Sequence, residues 1–157
     1  MKTNLIITLF LVVLLGCSKE DNTPVPAVDL VGKWELVKFT VDPSPVNGTN
    51  DYLAYLRQLF SYNCTEINFY YNFSADKAFS ESTESKCQSG TTNDTLLDGK
   101  WESTPTELSI TLDDGTGVQQ TQTYKIDLHP AQPGKYAYMD LTMSNNGTNY
   151  SLSLNKL

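Results

Sequence analysis

The strongest constraint on this chain is the strict alternation of apolar and polar residues. Ile67, Phe69, Tyr71 and Phe73 alternate with Asn68, Tyr70 and Asn72. The pattern returns at Leu108-Ile110-Leu112, Tyr124-Ile126-Leu128 and Tyr150-Leu152-Leu154, interleaved with Ser, Thr, Lys or Asp. Successive side chains of a strand point to opposite faces, so each run makes a strand with one apolar face. Short runs of this kind, divided by turn residues, specify a sandwich or a barrel.

The pattern predicts eight strands, over 32–41, 65–73, 78–85, 98–103, 107–112, 121–128, 136–143 and 148–155. Most connections are short and turn-like, among them Ser74-Ala75-Asp76, Thr104-Pro105, the segment 113–117, Pro130 to Gly134, and Asn145-Asn146-Gly147. Short turns join antiparallel neighbours. Eight strands in that order can close on themselves, which removes both exposed edges. The expected fold is therefore all-β: an eight-stranded antiparallel up-and-down barrel.

One segment departs from the alternation. Between the first two strands, Tyr52, Tyr55, Leu56, Leu59 and Phe60 fall at helical spacing, with Arg57 and Gln58 off the stripe. A short amphipathic helix is expected there, with Asn50 as its cap and Asp51 against the positive end of its dipole. A loop rich in Pro, Gly and Asn precedes it.

The chain opens with Lys2 and an apolar run over residues 5–15, followed by Gly16-Cys17. Spanning a bilayer needs roughly 20 apolar residues, so this run has the length of a signal-peptide core instead. Leu14-Leu15-Gly16-Cys17 resembles the bacterial lipobox. The resemblance implies cleavage before Cys17, a thioether-linked diacylglycerol on that cysteine, and an acyl chain such as palmitate on its amine. Two or more chains hold stably in a membrane. Ser18, rather than an aspartate, is similar to an outer-membrane sorting signal. Lys19-Glu20-Asp21 is similar to the short charged signal of surface-displayed lipoproteins. The expected organisation is a signal peptide over 1–16, a lipidated cysteine and tether over 17–29, and the barrel domain over 30–157. Pro24 and Pro26 make the tether a semi-rigid spacer.

With Cys17 acylated, Cys64 and Cys87 remain in an oxidising compartment, where such a pair usually forms a disulfide. The second and third strands form a hairpin. A two-residue turn at Ala75-Asp76 sets Cys64 opposite Cys87. A turn one residue longer, which the flanking Phe73 and Phe79 favour, shifts the register by one and calls for a bulge. The formal charge of −7, made one more negative when Lys2 is removed, argues against nucleic acid, which needs a basic footprint. It also leaves the lipid as the membrane contact.

Gly32-Lys33-Trp34 and Gly99-Lys100-Trp101 open two strands, and each continues with Glu. The Gly-x-Trp at the first strand resembles the lipocalin signature. Its order with Cys64, Phe69 to Phe73, Ala75-Asp76, Cys87, Gly99-Lys100-Trp101 and Leu108 to Leu112 is similar to the lipocalin-like domain of bacterial lipoproteins. The resemblance implies a barrel closed near Gly32 and Trp34, with its first interstrand connection over the mouth and no catalytic residues. Two positions depart from the family pattern. Lys156 stands where lipocalins often set an arginine against the tryptophan. Lys77 stands where the family favours glycine after Ala-Asp, and a left-handed Lys costs roughly 1–2 kcal/mol, so another turn form is expected.

No Ser/His/Asp order stands out. His129 precedes Pro130 in an expected turn, Asp113-Asp114-Gly115 lacks the rest of a calcium ligand set, and no phosphate cradle follows a strand. No enzyme, metal or cofactor is expected. Two functions fit. One is a barrel holding a small apolar or amphipathic ligand against Tyr52, Tyr55, Leu56, Leu59, Phe60, Phe69, Tyr71 and Tyr138. The other is a barrel plugged by its own aromatic residues (Phe69, Tyr71, Phe73, Tyr124, Tyr138 and Tyr150), whose exterior binds a surface protein or glycan.

Overall fold

The computed structural model describes residues 29–157, apart from 46–47, 62, 114–115 and 117. The expected signal peptide, Cys17 and nearly all of the tether lie outside the described residues. The elements run β1 (Gly32–Asp42), α1 (Tyr52–Phe60), β2 (Cys64–Phe73), β3 (Ala78–Cys87), β4 (Gly90–Ser103), β5 (Glu107–Asp113), β6 (Gln119–His129), β7 (Tyr138–Asn145) and β8 (Thr148–Lys156). Each strand pairs antiparallel with the next, and β8 pairs with β1 to close the barrel.

Alternation decides which side chains turn inward. Trp34 and Leu36 of β1, Phe69 and Phe73 of β2, Leu108 of β5, Met139 and Leu141 of β7, and Leu154 of β8 are buried in one core. On β1 the phase changes at a bulge: Leu36 pairs with Leu154 and Lys38 with Ser153, leaving Val37 as the extra, exposed residue. The bulge restores Phe39 and Val41 to the inner face after Leu36.

One end of the barrel is closed by the two tryptophans. Trp34 is fully buried and its indole N–H donates to the Leu30 carbonyl at 2.8 Å. The Lys156 ammonium lies 5.5 Å from the Trp34 ring centre and 3.4 Å from the Asp29 carboxylate, in the place expected for it. Trp101 packs edge-on to Phe73 at 5.5 Å, and its indole donates to the Ser74 carbonyl. Gly99, just before it, is a close-approach position: a β-carbon there would stand 2.2 Å from the Thr111 carbonyl oxygen.

The β2–β3 hairpin takes both of the registers left open by the sequence. Phe73 pairs with Phe79, as the longer turn requires, and the register holds as far as Glu66 with Lys86. A bulge at Thr65 then brings Cys64 opposite Cys87, and the two form a disulfide.

Four expectations need correcting. Strand four begins at Gly90, not near residue 98. Residues 90–98 are exposed, so this stretch has no apolar face to create a period-two signal. It pairs with β3 and turns at Cys87–Gly90. β7 starts at Tyr138, not Tyr136; Met139 and Leu141 face inward, which turns Tyr138 outward. Asp51, not Asn50, caps α1, accepting the Ala54 amide N–H at 3.0 Å. Lys77 does adopt the left-handed conformation, at φ +70°.

Candidate functional site

The barrel interior is divided. Below Tyr71, Phe79 and Leu152 it is filled by the tryptophan-capped core; above them lies a cavity of about 560 Å³. The ends of β5 and β7 and the starts of β6 and β8 line it through Leu112, Asn145, Gln120, Gln122 and Tyr150. It therefore extends to the end of the barrel that carries α1.

Helix α1 supplies Tyr52 and Leu56 to this cavity. The helix is held on β1 and β2 by three contacts. Tyr52 meets Phe39 edge-on at 5.0 Å, the Arg57 Nε donates to the Ile67 carbonyl at 3.2 Å, and Phe60 meets Phe69 at 5.9 Å. The residue it buries most deeply is Leu53, which the expected stripe omitted.

The residues expected at a ligand site are distributed unequally. Tyr52, Leu56 and Tyr71 line the cavity together. Leu59 is exposed and Phe60, though partly exposed, packs on Phe69; neither lines the cavity, and Tyr55 is half-buried beside Tyr52. Phe69 is buried in the core and does not line the cavity. Tyr138 is outside the barrel, stacked on His129 with 4.0 Å between ring centres, so its expected inward placement is incorrect. His129 ends β6 rather than occupying a turn. Among the described residues no group of His, Cys, Asp and Glu is placed to hold a metal ion.

Sequence reading missed one residue of consequence. Glu81 shares the inner face of β3 with Phe79 and Thr83, and it lines the cavity. The signal was available, since Phe79-x-Glu81-x-Thr83 has the strand period. It was obscured because Ser80, Ser82 and Glu84 make the whole strand polar. Burial pushes the Glu81 carboxyl up to about 7. Two phenols respond to it. Burial, then Glu81, pushes Tyr124 up to about 12, and burial, then Glu81, raises Tyr71 well above its ordinary value. The three groups occupy one poorly hydrated space. The Tyr124 hydroxyl donates to the Gln122 side-chain oxygen.

A model of the lipocalin-like domain matches residues 30–128. The chain belongs to the lipocalin-like domain family. Barrels of this fold commonly bind small hydrophobic ligands. Solved structures to which the chain is similar include a lipocalin-like protein from Bacteroides uniformis, 18% identical over 82% of this chain and 98% of that one, with a TM-score of 0.42. A protein from Bacteroides eggerthii is also 18% identical, over 81% of this chain and 98% of its own, at a TM-score of 0.38. Lobster apocrustacyanin A1 is 15% identical over 81% of this chain and 60% of its own, at 0.34. Among curated proteins none matches.

Proposed function

We propose that this lipocalin-like protein is a lipid-anchored lipoprotein of the bacterial outer membrane, facing outward, whose barrel takes up a small hydrophobic or amphipathic molecule. The observation that carries the ligand reading is the cavity of about 560 Å³ between the aromatic floor and α1. Ligand pockets are typically about 300–1,000 Å³, mostly apolar, with a few placed polar groups. Tyr71, Phe79, Ile110 and Leu152 supply apolar walls here, and Glu81, Gln120 and Gln122 supply polar groups. A barrel with this space is not filled by its own aromatic residues, which favours binding inside over binding on the exterior alone. The anchor reading rests on the lipobox resemblance at Leu14 to Cys17.

Nile red, a neutral polarity-sensitive dye, tests the ligand reading. Uptake by the intact chain should be saturable, and Met143→Trp and Leu97→Trp, which place bulk in the cavity, should weaken it. Failure of the chain to take up the dye, with no competition by alkyl alcohols, would reject the pocket. Intact-mass measurement tests the anchor: native protein should begin at an acylated Cys17, and an unmodified Cys17 would reject it.

A further inference from the structure

We propose that Glu81 receives the polar end of the ligand, and that the ligand is a cationic amphiphile: an alkyl or aromatic amine on an apolar body. The inference rests on the pocket reading above and adds the ligand's charge. Among the described residues, Glu81 is the sole charged group lining the cavity, and no Lys, Arg or His lines it. Glu81 makes no hydrogen bond or ion pair with any described residue, so its carboxylate faces the cavity unpaired. Glu81 is half-buried in the cavity wall, where a carboxylate is only partly hydrated and gains from a cationic partner, and the described residues supply none.

The surroundings select a cation. The other titratable groups on the cavity wall are phenols: Tyr71 from β2, Tyr124 from β6, Tyr150 from β8 and Tyr52 from α1. The lining residues of β1, β4, β5 and β7 are uncharged. Aromatic faces attract ammonium groups, and a charge-assisted bond to a carboxylate is stronger than a neutral one. A fatty acid would bring a second negative charge beside Glu81, which disfavours it. An entering ammonium supplies the missing positive partner, so Glu81 ionises and its proton leaves to solvent. The preference for the amine therefore grows as pH rises from 5 to 8, where an alkylamine remains protonated.

Three probes of equal chain length, dodecylamine, dodecanol and dodecanoate, isolate the charge. They are added to the full chain carrying Cys17→Ser, which removes the proposed lipid attachment. At pH 8 the wild-type barrel should bind dodecylamine about tenfold or more tighter than dodecanol, with dodecanoate weakest. Glu81→Gln should keep dodecanol binding, which reports an intact cavity, and lose the preference for the amine. Glu81→Asp should retain part of it. Equal binding of amine and alcohol, tightest binding of dodecanoate, or an amine preference that survives Glu81→Gln would each overturn this assignment while leaving the pocket. Binding of none of the three would overturn the pocket reading as well.

Discussion

The Lys77 ammonium lies 3.6 Å from the centre of the Trp101 ring, although Lys77 itself sits in the left-handed region at φ +70°. The two facts belong together. The turn needs a left-handed residue, because the Lys77 amide donates to the Ser74 carbonyl while its own carbonyl accepts from the Trp101 amide. A glycine would meet that need without strain but could not reach the indole. The lysine accepts the strain and returns a cation–π contact, worth ~0.5–1 kcal/mol where exposed. Lys77→Ala keeps the strain and removes the contact, so it should destabilise by about 0.5–1 kcal/mol. Lys77→Gly releases strain worth ~1–2 kcal/mol and should be neutral or stabilising. Urea denaturation of the two variants gives the order.

Cys64 and Cys87 close a 23-residue separation across the hairpin. Restricting the unfolded chain in this way contributes about 2–4 kcal/mol. Cys64→Ser with Cys87→Ser should lose that amount in denaturant, and a reducing agent should produce a similar loss in the wild type. A non-reducing peptide map should show both cysteines in one bridged fragment.

Gly99 faces the Thr111 carbonyl so closely that a methyl group has no room. The obstructing atom is backbone, which cannot rotate away. Gly99→Ala should therefore cost about 1–3 kcal/mol through overpacking, and more if the β4–β5 pairing has to separate. Thermal denaturation with far-ultraviolet dichroism would read both. The mirrored motif differs: a methyl group on Gly32 would meet only the end of the flexible Lys156 side chain, but at φ +134°. There the backbone, not the space, calls for glycine.

What the sequence made legible follows from where burial is one-sided. β2, β5, β6 and β8 alternate cleanly because one face meets the core and the other meets water. The outer half of β4 is exposed throughout, with Leu97 alone of its side chains on the cavity wall, so no alternation in residues 90–98 distinguishes it from a loop. The disulfide was legible in its partners but not in its geometry, because a bulge is a property of pairing between two strands. The cavity was half legible. Tyr52, Leu56 and Tyr71 announce themselves as apolar residues in the right elements. Glu81 does not, because a glutamate in a Ser- and Glu-rich strand reads as solvated until closure of the barrel turns it inward. Tyr138 was misplaced for a related reason: the nearby alternation of Met139, Leu141 and Met143 determines the phase of β7 against the pull of an aromatic residue.

The helix separates burial from lining. Leu53 is 2% exposed and Leu59 is 57% exposed, so truncation should distinguish them. Leu53→Ala should cost about 2–5 kcal/mol, as for other buried leucines. Leu59→Ala should stay within about 0.5 kcal/mol of the wild type. Leu56 is partly buried and borders the cavity. Leu56→Ala should change the affinity for Nile red more than it changes the denaturation midpoint. If Leu56→Ala were as destabilising as Leu53→Ala, the residue would be core and not cavity wall.

The pH dependence of stability reports on Glu81. Its carboxyl is raised from the ordinary 4.5 to about 7 by burial, so the folded barrel holds this proton more tightly than the unfolded chain does. Below pH 4.5 both states are protonated and the group contributes no penalty. Between that pH and about 7 the unfolded chain binds fewer protons, so stability falls as pH rises. Above the folded value the loss is complete and the curve flattens. Glu81→Gln carries no such proton and should remove this slope. The denaturation midpoints of the two proteins should therefore separate progressively from pH 5 to pH 8, with the variant the more stable at the upper end. The difference between them isolates Glu81 from the exposed Glu66 and Lys86 pair, which titrates alike in both. Midpoints that remain parallel would show that the carboxyl is hydrated in the empty barrel. Addition of dodecylamine should narrow the separation at pH 8, because the ammonium supplies the partner that the ionised glutamate lacks.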